Sequence, residues 1–504
     1  MTSNSPTDLD RVRTRHRDLA SRLLPGGPLE HYVGGEWIRG TADDTFTSVN
    51  PTTGDPLVTV HEGTKTEVDR AVEAAWDAFD DHWWDSTPAD RQRLLQQMAN
   101  RLEREAEKFA QIEVLDNGKP ITEARQDIDL AIDHLRYFAG AARNLEGKTV
   151  PHGDLHIQTV REPYGVVGQI VPWNFPLLLA VWKLAPALAA GNTVVLKPAE
   201  QTPVSLLTYV REIEDILPEG VVNVVTGFGP ETGAPLVSHD RVPKIAFTGS
   251  TEVGRGVMKA AANTISDITL ELGGKSPLVV APDADPERAA ETAVDAMFFN
   301  GGECCSAGTR LFVHESTAEE FVPAFLDRVR NLQMGDPLDE ATDIGPQVSR
   351  AEVEKTLHYV TLARESEARI LTGGGTVEEG LLAEGCFVEP TVVADVAVDS
   401  PVVQQEIFGP VEVLIEWDDY EAMIAEANDV DYGLAAGVVT NDLSFAHRIS
   451  RDLKAGNVWV NTFNRLPPGQ PFGGYKQSGI GREGAMETLH EYTQTKSVTM
   501  AFEE

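Results

Sequence analysis

The 504-residue chain has few cysteines and lacks the spacing typical of a zinc site. Its cysteines are Cys304, Cys305 and Cys386, and an odd, sparse set argues against a disulfide framework and for a reducing compartment. Cys304 and Cys305 are neighbours without an accompanying CxxC or HxxxH pattern. We therefore predict no metal site.

Long hydrophobic runs are also missing. The most apolar stretch, residues 176–196, is interrupted by Lys183, Pro186 and Gly191, so it falls short of the roughly 20 apolar residues that span a membrane. Residues 1–27 are polar and charged without an apolar core, which argues against a signal peptide. We expect a cytoplasmic protein that does not bind membranes.

Positive charge is scarce, because 79 Asp and Glu residues outnumber 42 Lys and Arg residues and give a net charge of −37. Such a field repels nucleic acid and anionic membrane surfaces, so we expect no nucleic-acid partner. Two interpretations of the acidity stay open. It is either an ordinary, well-solvated acidic surface or an adaptation to high salt, in which dissolved ions screen the repulsion between carboxylates.

The length predicts two or three domains. We expect about the first 25 residues to form a mobile or loosely docked extension. Apolar residues at helical spacing then predict amphipathic surface helices over residues 66–79, 89–117 and 121–145.

From about residue 165, short β-branched runs alternate with helical stretches, which predicts a doubly wound parallel sheet. Thr202 is expected to cap a helix that has Pro203 in its first turn and reaches Ile216. A second α/β unit is expected after Gly274. The predicted strands lie at 166–171, 193–197, 221–225, 244–247, 278–281, 310–313, 411–415, 437–440 and 457–460.

Two glycine-rich turns follow strands of the first unit, one containing Gly229 and the other Gly249 and Ser250. Glycine lets the backbone approach a phosphate, and a helix N-terminus beyond it offers unpaired N–H groups. Neither turn matches GxGxxG or GxxxxGK[ST], and a single turn of this kind usually only joins a strand to a helix. Two in one alternating unit favour a dinucleotide site.

Several residues could carry chemistry, and each has a plainer alternative. Cys305 lies in a loop of small residues, where a cysteine is either a nucleophile or an inert buried thiol. Glu271 stands between two leucines before Gly273-Gly274, as a general base with a raised pKa or as a solvated carboxylate. Asn174 is an oxyanion donor or a turn residue. Lys197 and Glu200 bind sugar hydroxyls or form a solvated pair.

Together these segments resemble the aldehyde dehydrogenase superfamily, in its hydrolytic, non-acylating form, over about residues 32–499. The landmarks are Pro172-Trp173-Asn174-Phe175-Pro176, Lys197-Pro198-Ala199-Glu200, Phe247-Thr248-Gly249-Ser250, Leu270-Glu271-Leu272-Gly273-Gly274, the Cys305 loop, Glu406-Ile407-Phe408-Gly409-Pro410 and Pro471-Phe472-Gly473-Gly474.

The resemblance implies an α/β fold with a doubly wound NAD domain, an α/β catalytic domain and a small β oligomerisation element. The implied division is an extension at 1–27, an NAD-binding domain at 28–146 and 164–273, a catalytic domain at 274–482, and an oligomerisation element at 147–163 and 483–504. A homodimer or homotetramer is expected.

The resemblance also implies roles for individual residues. Cys305 would form a thiohemiacetal and then a thioester with the aldehyde, Asn174 would stabilise the alkoxide, and Glu271 would activate the hydrolytic water. The implied NAD contacts are Trp173, Lys197, Glu200, Gly229, Gly249, Ser250, Glu406 and Phe408. The implied substrate tunnel is Phe175, Leu178, Trp182, Phe299 and Phe472.

Four features refine this expectation. Glu271 favours hydrolysis over transfer to coenzyme A, and Glu200 favours NAD while leaving NADP possible. Glu303 stands where glutamine is more common, and a charged carboxylate there would raise the pKa of Cys305. The apolar, aromatic tunnel fits an aliphatic or aromatic aldehyde, with betaine aldehyde or an aminoaldehyde as the alternative. A thiol hydrolase and a non-catalytic protein are less favoured.

Overall fold

The structure is a computed structural model that describes residues 8–42, 44–377 and 380–502. The helices follow the amphipathic and apolar runs of the sequence. In chain order they are α1 (Asp8–Leu23), α2 (Lys65–Ala78), α3 (Pro88–Arg104), α4 (Ala106–Asn117), α5 (Ile121–Ala141), α6 (Pro176–Ala190), α7 (Val204–Ile213), α8 (Ala234–Val237), α9 (Thr251–Thr264), α10 (Pro286–Phe298), α11 (Glu315–Asn331), α12 (Arg350–Glu365), α13 (Leu381–Glu384), α14 (Pro401–Gln404), α15 (Tyr420–Asn428), α16 (Leu443–Asp452) and α17 (Met486–Glu491).

The strands are rich in valine, isoleucine and threonine, as β-propensity favours. They are β1 (His31–Val33), β2 (Glu36–Ile38), β3 (Thr45–Val49), β4 (Pro56–His61), β5 (Thr149–His152), β6 (Leu155–Pro163), β7 (Val166–Ile170), β8 (Thr193–Lys197), β9 (Val222–Val224), β10 (Lys244–Thr248), β11 (Asp267–Glu271), β12 (Pro277–Val280), β13 (Arg310–His314), β14 (Arg369–Thr372), β15 (Thr391–Ala394), β16 (Val411–Trp417), β17 (Tyr432–Gly433), β18 (Ala435–Val439), β19 (Asn457–Val460), β20 (Tyr475–Lys476), β21 (Gly479–Ile480) and β22 (Thr493–Ala501).

Two large sheets organise the chain. The first has the order β2-β1-β9-β8-β7-β10-β11-β21, and its central strands β9 to β11 run parallel. The second has the order β14-β15-β16-β13-β12-β18-β19 and is parallel apart from β14. Every residue of β8 and β10 is buried, as parallel sheets covered on both faces require. The predicted α/β class with parallel sheets is confirmed.

A third, antiparallel sheet joins β22, β6 and β5. Its strands lie in the two segments predicted to form an oligomerisation element. Although β21 lies within the range predicted for the catalytic domain, it pairs with β11 and closes one edge of the first sheet.

The predicted amphipathic helices are present, with two differences. The run at 89–117 forms two helices rather than one, because the backbone leaves helical geometry at Glu105 between α3 and α4. The third run ends at Ala141. Capping boxes start α2, between Thr64 and Glu67, and α3, between Thr87 and Asp90, and so satisfy free N–H groups of the first turn.

The predicted cap at Thr202 is wrong. The helix begins at Val204 and ends at Ile213, and its N-terminal N–H at Val204 donates to a carboxyl oxygen of Asp116 at 2.9 Å. Thr202 instead directs its hydroxyl to the carbonyl of Trp173. A buried carboxylate from α4 therefore takes the role that the local sequence assigns to a neighbouring threonine.

The expectation of a loosely docked N-terminal extension is also wrong for residues 8–23, whereas residues 1–7 lie outside the described part of the chain. His16 of α1 is only 2% exposed, and its ring contacts Asp336 at 2.8 Å and Asn50 at 2.9 Å. Leu19 is buried beside it. These contacts fix α1 against the body of the protein.

Candidate active site

One large cleft collects most of the candidate residues at the carboxyl ends of β7, β10 and β11. Its volume is about 1180 Å³, including the open mouth. It is lined by the predicted catalytic residues Asn174, Glu271 and Cys305, by the predicted cofactor residues Trp173, Gly249, Ser250, Glu406 and Phe408, and by all predicted tunnel residues, which are Phe175, Leu178, Trp182, Phe299 and Phe472.

The nucleophile candidate lies on a tight loop that follows α10. Asn300, Gly301 and Gly302 adopt left-handed backbone conformations with φ of 52°, 60° and 74°. A Cβ atom on Gly302 would lie 2.7 Å from the carbonyl oxygen of Gly409, so only glycine fits there. This turn presents Cys305, which is half-buried, at the cleft.

The environment of Cys305 disfavours its thiolate. Contact with the Cys304 thiol, burial and the nearby carboxylates of Glu406 and Glu271 raise the pKa of Cys305 well above its ordinary value. Cys304 itself is buried and lies 3.3 Å from the hydroxyl of Ser306. Attack by Cys305 therefore needs a base that takes its proton.

Asn174 joins the wall of the cleft to the cysteine loop. It is 3% exposed, and its side-chain amide donates to the carbonyl oxygen of Glu303 at 3.0 Å. The side chain of Asn300 donates to the carbonyl oxygens of both Asn174 and Glu303. An amide donor is thus fixed beside the residues that carry the thiol, as stabilisation of an oxyanion requires.

Glu271 ends β11 with a carboxyl group that has no hydrogen-bond partner among the described residues. It is 5% exposed, and burial together with the nearby Glu483 raises its pKa well above the ordinary value. The buried pair of Lys183 and Glu483 lies close by. An orphaned, buried carboxyl at the cleft fits a general base rather than a solvated surface residue.

The Glu303 carboxyl is held by the chain outside the cleft. One of its oxygens accepts the backbone N–H of Val348 at 3.1 Å, and neither residue lines the cleft. Burial raises the pKa of this carboxyl well above its ordinary value.

Glu406 lies against the glycine pair that follows Glu271. It accepts the N–H of Gly274 at 3.0 Å, and a Cβ atom on Gly273 would lie 2.2 Å from its carboxylate. The ring of Phe408, a residue with φ of 60°, meets that of Trp173 edge-on at 5.2 Å. The glycine pair lets these elements meet at the cleft.

The groups predicted to hold a dinucleotide divide into two sets. Ser250 caps α9 by accepting the N–H of Val253 at 3.3 Å, and it brings this helix N-terminus to the cleft. A Cβ atom on Gly249 would lie 2.5 Å from the ring of Phe247, so the turn depends on glycine. The glycine turn and the positive end of α9 fit a phosphate group of a dinucleotide.

Lys197, Glu200 and Gly229 lie outside the cleft lining. Lys197 is buried at the end of β8, and its ammonium contacts the carbonyl of Pro198 at 2.9 Å and Glu200 at 3.4 Å. Burial lowers the pKa of Lys197. Its stem packs against Gly233, the last residue of the turn that Gly229 begins, which places these groups together beside the neighbouring strands.

The predicted tunnel is aromatic. The rings of Phe175 and Phe299 stack at 5.9 Å, and those of Trp182 and Phe472 meet edge-on at 5.8 Å. Leu178 completes this set. An apolar throat of this kind holds hydrocarbon or aromatic groups by excluding water.

Sequence reasoning missed several lining residues. The apolar ones extend the tunnel, whereas three of the four charged ones come from helices α5 and α12. They are Asp127, Leu130, Leu179, Glu352, Lys355, Asn464, Leu466 and Glu483. The spacing of α5 offered one signal, because Asp127 falls on its buried face.

The described residues form neither a membrane-spanning helix nor a metal cluster. No helix among them is long and apolar enough to cross a membrane. Within the same residues, no group of three or more histidine, cysteine or acidic side chains is arranged to hold a metal ion.

Comparison with known proteins agrees with this geometry. A model described as the aldehyde dehydrogenase family matches residues 37–498. The mitochondrial aldehyde dehydrogenase of Homo sapiens is 44% identical over 475 residues, or 93% of this chain and 91% of that protein. A solved NAD+ complex of aldehyde dehydrogenase from Bacillus cereus has a TM-score of 0.92 at 43% identity and covers 94% of this chain and 97% of that one. Betaine aldehyde dehydrogenase from Staphylococcus aureus, solved with NAD+, has a TM-score of 0.94 at 38% identity and covers 96% and 97%.

Proposed function

This chain belongs to the aldehyde dehydrogenase family, and we propose that it oxidises an uncharged aliphatic or aromatic aldehyde to the carboxylic acid through a thioester on Cys305. It is an NAD-dependent oxidoreductase. The observation that carries the proposal is the convergence of Cys305, Asn174 and the orphaned carboxyl of Glu271 on one cleft.

The first step is attack of the Cys305 sulfur on the carbonyl carbon. Because the pKa of Cys305 is raised, its proton must leave as the bond forms, and Glu271 is the available acceptor, directly or through water. The carbonyl oxygen becomes an alkoxide, and the amide of Asn174 stabilises it. The product is a thiohemiacetal.

When bound, NAD supplies the electron acceptor that takes up the hydride from the former carbonyl carbon. The acyl group then stays on Cys305 as a thioester. Glu271 first releases to solvent the proton that it took from Cys305, and its carboxylate then removes a proton from water, which attacks the thioester carbon. The sulfur leaves, the free acid departs, and Cys305 is regenerated.

In this proposal, residues of the cleft and of the strand ends beside it would hold the cofactor. Lys197 and Glu200 would hold the adenosine ribose, with Gly229 at the neighbouring turn. Ser250 and Gly249 would hold the phosphates at the N-terminus of α9. Glu406 would hold the nicotinamide ribose, with Trp173 and Phe408 as further contacts of the cofactor. Glu200 can accept from a ribose hydroxyl and would repel a phosphate, which favours NAD and disfavours NADP.

The preference for an uncharged substrate rests on a buried cation that contacts two residues of the cleft lining. Lys119 lies 4.4 Å from the centroid of the Phe175 ring and 2.5 Å from Asp127, and its side chain is fully buried. The carboxylate and one aromatic face that would attract a substrate ammonium are thus already engaged. Betaine aldehyde or an aminoaldehyde remains the alternative, since the aromatic throat and the likeness to the Staphylococcus aureus enzyme favour it.

Two other functions have less support. A thiol hydrolase needs a histidine beside its cysteine, and none of the histidines within residues 8–42, 44–377 and 380–502 lines the cleft. A non-catalytic protein would have no use for a buried, unpartnered glutamate beside a cysteine.

The test is reduction of NAD and of NADP by a panel of aldehydes. The panel contains acetaldehyde, a longer alkanal, benzaldehyde, betaine aldehyde and succinate semialdehyde. We expect activity with the alkanal or benzaldehyde that disappears in Cys305→Ala and persists in Cys386→Ala, because Cys386 is buried away from the cleft. A preference for betaine aldehyde would select the alternative substrate, and no reduction with any aldehyde would refute the proposal.

We also propose that subunits associate through the third sheet. All four residues of β5 are exposed at the edge of the third sheet, and the remaining strands of that sheet carry polar, partly exposed side chains. Such an edge is available to pair with a second copy, which supports a homodimer or homotetramer. Light scattering of the purified protein would give the mass, and a monomer at micromolar concentration would refute this assignment.

A further inference from the structure

The turn between α4 and α5 holds the segment that carries Asn174. Asn117 donates its side-chain amide to the carbonyl oxygen of Trp173 at 3.0 Å, and Lys119 donates its ammonium to that of Asn174 at the same distance. Two successive carbonyl groups are therefore held by side chains two positions apart. Glu113, from the same helix end, accepts the N–H of Leu177 at 3.2 Å.

Asn117 and Lys119, which hold the two carbonyl groups, form a clamp on this segment. Lys119 is its charged member, and its own side chain is held by two carboxylates. Its ammonium lies 2.5 Å from Asp127 and 3.9 Å from Glu113, and its side chain is completely shielded from solvent. Gly118 before it has φ of 95°, and a Cβ atom there would lie 2.8 Å from Pro51 and Pro346. The turn is thus confined on both sides.

The carbonyl oxygen of Asn174 accepts two hydrogen bonds, one from Lys119 and one from Asn300, each at 3.0 Å. These bonds fix the peptide plane that follows Asn174. The side-chain amide of Asn174 is in turn bonded to Glu303, beside the cysteine loop. The backbone from which this amide extends is therefore held in part by a buried ammonium.

We propose that Lys119 is a positioning residue for the reaction, which acts through Asn174 by fixing the backbone that aims its amide at the alkoxide. This inference rests on the proposed function of Asn174. A hydrogen bond from a charged donor is about twice as strong as a neutral one, and misplacement of a catalytic group by about 1 Å costs on the order of 100-fold in rate. The charged hydrogen bond from Lys119 is therefore strong enough to hold the Asn174 backbone, and a small shift of that backbone would lower the rate.

The test is a double-mutant cycle on kcat. Lys119→Met removes the ammonium, and Asn174→Ala removes the amide that it aims. We expect Lys119→Met alone to lower kcat about 10- to 100-fold with little change in the KM for NAD. In the Asn174→Ala background, the same substitution should lower kcat less than about 3-fold, because the group through which it acts is gone.

Two further variants test whether the loss in Lys119→Met comes from the position of the donor or from general destabilisation. Lys119→Arg keeps a cation for Asp127 but moves the donors onto a planar fork, so it should show the same non-additivity even if Lys119→Met does not fold. Lys244→Met is the matched control, since Lys244 is also buried and bonded to one carboxylate, Asp267, at 2.5 Å. It should leave kcat within about 2-fold of the wild type, because its ammonium is hydrogen-bonded to Asp267 and not to the segment that carries Asn174.

The outcomes distinguish the proposed oxyanion role of Asn174 from the positioning role of Lys119. If Asn174→Ala keeps full activity, the proposed oxyanion role fails and the positioning role fails with it. If Asn174→Ala is impaired but the losses from Lys119 and Asn174 multiply, Lys119 has only a structural role and the positioning inference is overturned while the proposed function stands. An equal loss in Lys244→Met would also overturn it.

Discussion

Glu406 accepts a hydrogen bond from the backbone N–H of Gly274 at 3.0 Å, which joins the segment before β16 to the turn that follows Glu271. Burial raises the pKa of the Glu406 carboxyl to about 7. It is therefore neutral in part of its population at neutral pH and becomes a better acceptor for ribose hydroxyls as the pH rises.

From this we predict that the KM for NAD decreases as the pH rises through about 7 and then levels off. Glu406→Gln should raise the KM for NAD and remove most of this pH dependence, because its amide does not ionise. Initial rates at saturating aldehyde across the pH range would measure both effects. The assignment of Glu406 to the ribose is wrong if the variant keeps the wild-type pH profile.

Glu271→Gln removes the base of both halves of the reaction, and it should slow hydrolysis more than attack, because a thiol loses its proton more readily than water does. The hydrolytic water loses its base, so we expect kcat to fall by roughly 10²- to 10⁴-fold, with the thioester accumulating. Stopped-flow absorbance should then show a burst of reduced cofactor, near one equivalent per active cysteine, before slow turnover. A slow phase without a burst would mean that Glu271 is needed mainly for the attack by Cys305.

The neighbouring thiol should tune the nucleophile. Since contact with Cys304 is the largest cause of the raised pKa of Cys305, Cys304→Ala should lower that pKa. The rate of Cys305 alkylation by iodoacetamide should then reach its half-maximum at a lower pH than in the wild type. Cys386→Ala is the control and should leave the profile unchanged. An unshifted profile in Cys304→Ala would contradict the prediction.

Asp116 should make stability depend on pH. It accepts hydrogen bonds from Ser48 at 2.5 Å and Val204 at 2.9 Å, and burial raises its pKa to about 8. Because the folded protein holds this proton more tightly than the unfolded chain, the stabilisation from Asp116 declines as the pH rises above about 4 and is lost above about 8. Asp116→Asn stays neutral, so its stability relative to the wild type should improve with rising pH.

Urea unfolding midpoints across this pH range would measure the effect. Asp90→Asn is the matched control, because hydrogen bonds from Thr87 lower the pKa of the exposed Asp90 carboxyl. Its loss of stability should be constant above about pH 5, since Asp90 is already ionised there. If the difference in urea midpoint between Asp116→Asn and the wild type also stayed constant with pH, the prediction of a raised pKa for Asp116 would be contradicted.

The acidic composition predicts a response to salt if it is an adaptation. Runs of exposed carboxylates occur, such as Asp77, Asp80, Asp81 and Asp85 near the end of α2. Molar KCl should screen their mutual repulsion and raise the unfolding temperature by several degrees relative to dilute buffer. Equal stability in both solutions would favour the plainer interpretation of an ordinary acidic surface.

The features that the sequence predicts well are those encoded locally. The buried strands β7, β8 and β10 follow from short runs with many β-branched residues, and the glycines beside Glu271 and Cys305 mark the turns that bring these residues to the cleft. Five of the seven segments that carry the family resemblance lie on these elements or next to them. Most of the lining of the cleft was therefore predictable.

The features that it does not predict depend on distant partners. The docking of α1 needs Asp336, about 320 positions after His16. Thr202 is a residue type that commonly caps helices, yet the carboxyl group of Asp116 from α4 accepts the free N–H of Val204. The spacing of α5 places Asp127 on the buried face, but it does not reveal that Lys119 is its partner. Local pattern cannot choose among such tertiary alternatives.

The pairing of β21 with β11 has a consequence for the order of assembly during synthesis. β21 follows Glu271 by about 200 residues, so the strand that carries this carboxyl gains its outer neighbour only after nearly all of the chain has left the ribosome. Glu483, which influences the pKa of Glu271, arrives later still. A nascent chain can therefore build most of the first sheet early while its reactive centre stays unfinished, and loss of the last few dozen residues would remove catalysis before it removed the bulk of the fold.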